Sequence, residues 1–153
     1  MKQLLIVAHT PSSNTQALSD AAYRGATHTD LENVRCVVKT PFEAGPDDVL
    51  ACDGILLGTT ENLGYMSGAL KDFFDRSYYG VIEEKQGLPC ALYIRAGLDG
   101  TGTRRAVESI VSGLRWRWVQ PPLILQGRWQ EDFAAQVEEL GLYLAFSLDN
   151  GIV

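Results

Sequence analysis

The chain has 153 residues, 46% of them hydrophobic, and sets 13 Lys and Arg against 19 Asp and Glu for a formal charge of −6. That length suits one domain with a sizeable core, and an acidic chain without a basic face argues against a nucleic-acid backbone as its main partner. Cys36, Cys52 and Cys90 form no CxxC, and with two histidines they offer no metal-ligand spacing. They read as buried free thiols in a reducing cytoplasm. Only Lys2 precedes the first apolar run, and charges follow soon after it, so neither a signal peptide nor a membrane span is expected.

Strand and helix patterns alternate from the start. Residues 3–8 form a continuous apolar run, too short for a helix and apolar on both faces, as suits a central parallel strand. Thr10-Pro11-Ser12-Ser13-Asn14-Thr15 follows, and then a helix over about 14–26 whose inner stripe is Ala17, Leu18, Ala21, Ala22 and Gly25. Val34 to Val38 reads as a second strand and Pro46 to Leu50 as a short helix with proline and acids in its first turn. Residues 53–58 are a third strand. It runs into a loop at 59–68, and Ala69, Leu70, Phe73 and Phe74 mark the next helix.

Leu88 to Ile94 is a fourth strand, opening into the glycine- and threonine-rich stretch 96–103 and a helix over about 103–113. Val119 to Leu125 is a poorer strand. Pro121 and Pro122 cannot donate to a ladder, which places it at a sheet edge. Phe133, Val137, Leu140, Leu144 and Leu148 recur at helical spacing in a last helix over about 130–148. This alternation predicts an α/β fold, a doubly wound sheet of five parallel strands with helices on both faces.

In such sheets ligands sit beyond the carboxyl ends of the strands, where strand order reverses. The loops after strands one, three and four are the chemically unusual ones. The first can cradle a phosphate: Thr10, Ser12 and Thr15 carry hydroxyls, Asn14 an amide, and a helix start adds unpaired N–H groups and a favourable dipole. Capping of that helix by Ser13 or Asn14 is the plainer reading of the same residues. In the second loop Gly64 permits close approach to a flat ring, and Tyr65 or Leu63 either lies against that ring or packs on the next helix. In the third, Gly97, Gly100 and Gly102 supply flexibility, while Thr101 or Thr103 can equally cap the fourth helix.

The whole chain resembles the flavodoxin-like superfamily, and within it the NAD(P)H-dependent FMN reductase and WrbA-like quinone reductase branch. Thr10-x-Ser12-x-Asn14-Thr15 is similar to the flavodoxin phosphate loop. The segment from Gly58 through Gly64 and Gly68 to Asp75 is similar to the reductase branch's Gly-Thr-Pro-x-x-x-Gly-x-x-(Ser/Ala)-Gly stretch, with Thr60 where that pattern has proline. The resemblance implies a flavodoxin-like strand order 2-1-3-4-5 and bound FMN. Thr10, Ser12, Ser13, Asn14 and Thr15 would meet its phosphate; Thr59, Thr60, Asn62, Leu63, Gly64, Tyr65 and Met66 would run along the isoalloxazine; Ala96, Gly97, Gly100 and Thr101 would stand near its pyrimidine edge.

It further implies a cytoplasmic oxidoreductase with NADPH or NADH as electron donor and a small molecule as partner, without nucleic acid or membrane. A flavodoxin-type carrier of single electrons, and a flavodoxin-like binding module without FMN, stand as alternatives. Flavin chemistry requires no catalytic side chain, and none stands out. His9 is assigned no role. Tyr78 and Tyr79 read as partial core or interface residues. Leu114-Arg115-Trp116-Arg117-Trp118, with Trp129 beyond it, reads as an amphipathic segment with half-buried indoles, or as a self-association surface of a homodimer.

Overall fold

The computed structural model describes residues 1–153. In chain order the elements are β1 (Lys2–Ala8), α1 (Ser13–Ala26), β2 (Val34–Lys39), α2 (Pro46–Ala51), β3 (Gly54–Asn62), β4 (Tyr65–Met66), α3 (Gly68–Val81), β5 (Pro89–Ala96), α4 (Thr101–Leu114), β6 (Arg117–Trp118), β7 (Leu123–Gln126) and α5 (Asp132–Asp149). The main sheet runs β2-β1-β3-β5-β6, with β7 also on β5, and every pair in it is parallel. This is the expected 2-1-3-4-5 order.

Two details differ from the sequence reading, each for a local reason. The fifth strand is divided: β6 pairs with Pro89 and Cys90, β7 pairs with Tyr93 to Ala96, and Gln120-Pro121-Pro122 lies between. Neither proline has an N–H to give to β5, so the ladder opens there and resumes at Leu123. The third strand runs on to Asn62 and folds back as β4, pairing antiparallel through Glu61 with Met66 and Asn62 with Tyr65. Of the stretch read as a loop, residues 59 and 60 thus continue the third strand and 61–66 are a β-hairpin.

The pleat sorts the core into two halves. Leu4, Ile6 and Ala8 point to the face covered by α1 and α5, whereas Leu5 and Val7 point to the face covered by α2, α3 and α4. On the first face α1 and α5 meet backbone to backbone. A Cβ on Gly25 would collide with the Glu138 carbonyl, and one on Gly141 with that of Ala22. On the second face Trp116 is buried against Phe74, ring centroids 6.3 Å apart, with Trp118 half-buried beside it. The Trp-rich stretch is therefore largely packing. Tyr78 packs with its phenol against Gly113, and Tyr79 is exposed. No helix is long and apolar enough to cross a membrane, and no cluster of His, Cys, Asp or Glu has the arrangement of a metal site.

All three cysteines are free; Cys52 and Cys90 are buried and Cys36 is half-buried. Burial pushes each thiol up from 9.0 to about 12. An acid whose folded pKa is raised gives the fold stability that is intact below pH 9 and drains away as pH climbs toward 12, because only the unfolded chain releases the proton in that window. The urea midpoint is accordingly expected to fall as pH rises past 9, and less steeply in Cys90→Ala than in the unchanged protein. Equal slopes for the two proteins would contradict this assignment.

Candidate functional site

Register brings the unusual loops to one edge. Ala8 stands beside Gly58, Gly58 beside Tyr93 and Thr60 beside Arg95, so the carboxyl ends of β1, β3 and β5 lie at one edge of the sheet, with β3 running on to Asn62 beyond the end of β1. Strand order reverses between β1 and β3, with β2 beyond one and β5 beyond the other. The loops after β1 and β3 flank that reversal, and the loop after β5 lies next to them. His9 ties the first strand end to the second, its N–H donating to the Gly58 carbonyl at 3.0 Å. Partial burial lowers the pKa of its imidazole, which keeps it neutral at neutral pH.

In the first loop Ser12, and neither Ser13 nor Asn14, is the N-cap of α1. Its Oγ accepts from the Thr15 N–H at 3.2 Å, and Thr15 Oγ1 accepts from the Ser12 N–H at 2.9 Å. The Thr15 hydroxyl also donates to the Ser12 carbonyl at 3.0 Å. This reciprocal box commits Ser12 and Thr15 to the helix start. It leaves the backbone N–H groups of Thr10, Ser13 and Asn14, and the side chains of those residues, without a hydrogen bond in the protein.

The second loop turns on Leu63 (φ 52°) and Gly64 (φ 74°). Positive φ at both central residues is the pattern of a type I′ hairpin turn, which matches strand twist. Glycine takes that conformation freely; leucine does so at a cost. Leu63 is nevertheless fully exposed, at 105% of its reference area, so no burial compensates the strain. The N–H groups of Leu63 and Gly64 are unpaired. Thr59 is buried and its Oγ1 accepts from the Ser67 N–H at 3.0 Å, Met66 lies in the core, and the Thr60 hydroxyl meets Asn62 Oδ1 at 2.9 Å. Tyr65 is partly exposed.

The third loop is held by a residue that the sequence reading passed over. Glu61 reaches across from β3 and accepts from the Leu98 N–H through Oε1 and the Gly100 N–H through Oε2, each at 2.8 Å. Gly100, at φ 70°, is the N-cap of α4 and offers no side chain. Thr101 and Thr103 do not cap the helix: the Thr101 N–H is taken by Asp99 at 3.0 Å, and the Thr103 hydroxyl donates to the Tyr65 carbonyl at 3.0 Å. Gly102 is helical, and a Cβ there would strike the Gly64 carbonyl. Its role is close approach, not loop flexibility. Ala96 is buried with its carbonyl bound by the Gly127 N–H, while the N–H groups of Gly97 and Asp99 are free.

Electrostatics at this edge favour an anion on the α1 side. The first turns of α1, α3 and α4 contain no acidic residue, whereas α2 has Asp47 and Asp48 and α5 has Asp132. Acids at a helix start offset its partial positive charge, so α1 and α3 keep theirs, whereas at α4 Asp99 takes the Thr101 N–H and Glu61 the Gly100 N–H. Among their loops the Glu61 carboxylate is engaged by two amides. The edge is an open shelf: none of the five surface depressions of the molecule is lined by these loops.

Comparison with solved structures adds the family context. An archaeal flavodoxin superposes with a TM-score of 0.78 at 19% identity, covering 97% of this chain and 99% of its own. The flavodoxin-like fold is thereby shown. A WrbA-like flavodoxin protein from Agrobacterium tumefaciens shares that fold with a TM-score of 0.77 at 17% identity, over 95% of this chain and 96% of its own. By sequence, a flavodoxin of Aquifex aeolicus (strain VF5) is 30% identical over 114 residues, 74% of this chain. The match spans 60% of that relative's length. No family model matches the chain.

The strained, solvent-exposed turn gives a test that needs no ligand. Replacing Leu63 by glycine removes the positive-φ penalty and sacrifices no buried area, so the ligand-free protein should gain about 0.5–1 kcal/mol in urea denaturation. A loss of stability would mean that the Leu63 side chain has a packing role.

Proposed function

We propose that the chain binds FMN along this shelf and works as an electron-transfer flavoprotein. The observation that carries the reading is the convergence of unpaired N–H groups from Thr10, Ser13 and Asn14, from Leu63 and Gly64, and from Gly97 and Asp99 on one sheet edge at its strand-order reversal. The first group, with the Thr10 and Ser13 hydroxyls and the Asn14 amide, would hold a phosphate without a basic side chain. The other two would meet the polar edges of a flat ring. The exposed apolar side chains of Leu63 and Leu98, with Tyr65, supply a surface on which such a ring can lie.

FMN supplies one- and two-electron chemistry when bound. This chain's residues orient the group, cover part of it from water and set its hydrogen-bond environment. No side chain is needed as acid or base. The Glu61 charge disfavours added negative charge nearby, and the amides of the second and third loops favour it.

Two electron sources fit, and a specific observation favours each. The flavodoxin name of the Aquifex relative, together with the likeness to a Megasphaera elsdenii flavodoxin solved in a two-electron reduced state (TM-score 0.76, 17% identity), supports a carrier that exchanges electrons with protein partners. The segment 58–75 and the WrbA-like neighbour support an NAD(P)H-dependent reductase of FMN or quinones. Anaerobic mixing of the FMN-loaded protein with NADPH or NADH separates them: rapid bleaching of the yellow colour supports the reductase, and persistence of the colour supports the carrier.

The phosphate assignment has its own test. Ser13 is the first residue of α1, where proline is well tolerated, and Ser12 before it is extended, as a residue preceding proline must be. Ser13→Pro deletes one free N–H without breaking the helix. Its FMN affinity should fall about tenfold relative to Ser13→Ala, the loss expected for one hydrogen bond to a charged group, with riboflavin affinity unchanged. An equal loss for both flavins, or none, would place the phosphate elsewhere.

A further inference from the structure

The three loops are not mechanically equivalent. The hairpin β3-β4 and the start of α4 are joined at three points: the Glu61 carboxylate on the Leu98 and Gly100 amides, the buried Thr103 hydroxyl on the Tyr65 carbonyl, and the bare Gly102 Cα against the Gly64 carbonyl. No side-chain hydrogen bond joins the loop at 10–15 to either of the others; its Ser12 and Thr15 hydroxyls are turned upon its own helix start. One rigid pair of walls therefore stands beside a separate phosphate cradle.

We propose that Glu61, Gly102 and Thr103 are positioning residues that lock the 61–66 hairpin and the 97–101 loop into one preorganised ring-binding unit, independent of the phosphate loop. The proposal rests on the FMN reading for what the unit binds, and on this structure alone for its being a unit. Glu61 suits the task because a carboxylate offers an acceptor on each oxygen, and bonds from amides to a charged acceptor are the stronger kind. Two amides two residues apart, one of them on the positive-φ Gly100, are thereby fixed before any ligand arrives. Thr103 pins the residue after the turn, and Gly102 sets the distance of α4 from it. A ring meeting walls already ordered loses less free energy to their ordering on binding.

Glutamine at position 61 keeps the shape but replaces one acceptor with an NH2 that cannot receive an N–H. Thr103→Val keeps the volume and removes the donor, while Thr103→Ser keeps the donor. Amide exchange at Leu98 and Gly100 in the ligand-free protein should quicken about tenfold in Glu61→Gln. Both riboflavin and FMN should bind Glu61→Gln and Thr103→Val about tenfold more weakly, with the ratio between the two flavins unchanged, and Thr103→Ser should retain the affinity of the unchanged protein. A merely structural role would lower the urea midpoint without this shared loss. Unaltered exchange at Leu98 and Gly100, unaltered riboflavin affinity in both variants, or a Thr103→Ser protein as weak as Thr103→Val would overturn the proposal. If the unchanged protein binds neither flavin, the FMN reading fails, and the exchange measurement still decides whether Glu61 closes the unit.

Discussion

A slip of β3 by one residue against its neighbours would dismantle both the core and the shelf. Side chains alternate along a strand, so the slip would turn Leu56 away from α1 and α5 and drive Ile55 and Leu57 into their place. It would also carry Gly58 away from Tyr93, whose buried phenol occupies the space that a Cβ at position 58 would fill. Packing and hydrogen-bond register thus enforce one alignment, and that alignment brings the carboxyl ends of β1, β3 and β5 to the same edge of the sheet. The free amides converge because the core admits no other register.

With the strand ends at one edge, the helix starts that follow them decide what the edge attracts. Each first turn leaves N–H groups without partners, and α1 and α3 carry no carboxylate there to offset them, whereas Glu61 and Asp99 take amides at the start of α4. The chain's net charge of −6 does not oppose this, because its acids lie elsewhere or, like Glu61, are held by amides. Division of labour follows from where donors are free and where they are committed. Ser12 and Thr15 build the helix start, and Thr10, Ser13 and Asn14 are left to face solvent. Leu63 adds strain at an exposed turn, a feature that recurs where a loop is shaped for contact and not for stability.

Much of this was legible in the sequence. The apolar runs at 3–8 and 53–58 and the helical stripes around them give the elements and their buried faces, since periodicity and burial have one physical cause, while the strand order came with the family resemblance. Pro121 and Pro122 place the last strand at the edge, although their full effect, a break into β6 and β7, depends on where β5 offers its carbonyls. The hairpin at 61–66 was missed because Asn62-Leu63-Gly64-Tyr65 reads as a loop until one considers that a two-residue turn ending in glycine can close a pair of strands. Glu61 was missed for a deeper reason: its partners are backbone amides 37 and 39 residues away, and a backbone amide leaves no mark in a sequence. That Ser12 caps α1 could not be read from the sequence, because a capping serine and a phosphate-binding serine have the same chemistry.

If free amides on three loops make one ligand site, titration of the 15N-labelled protein with FMN will report it in the backbone amide resonances. Thr10, Ser13, Asn14, Leu63, Gly64, Gly97 and Asp99 should shift together at a single saturating stoichiometry. Shifts confined to the groove between β7 and α5 around Pro121, Pro122 and Tyr143, or no shifts at all, would contradict it.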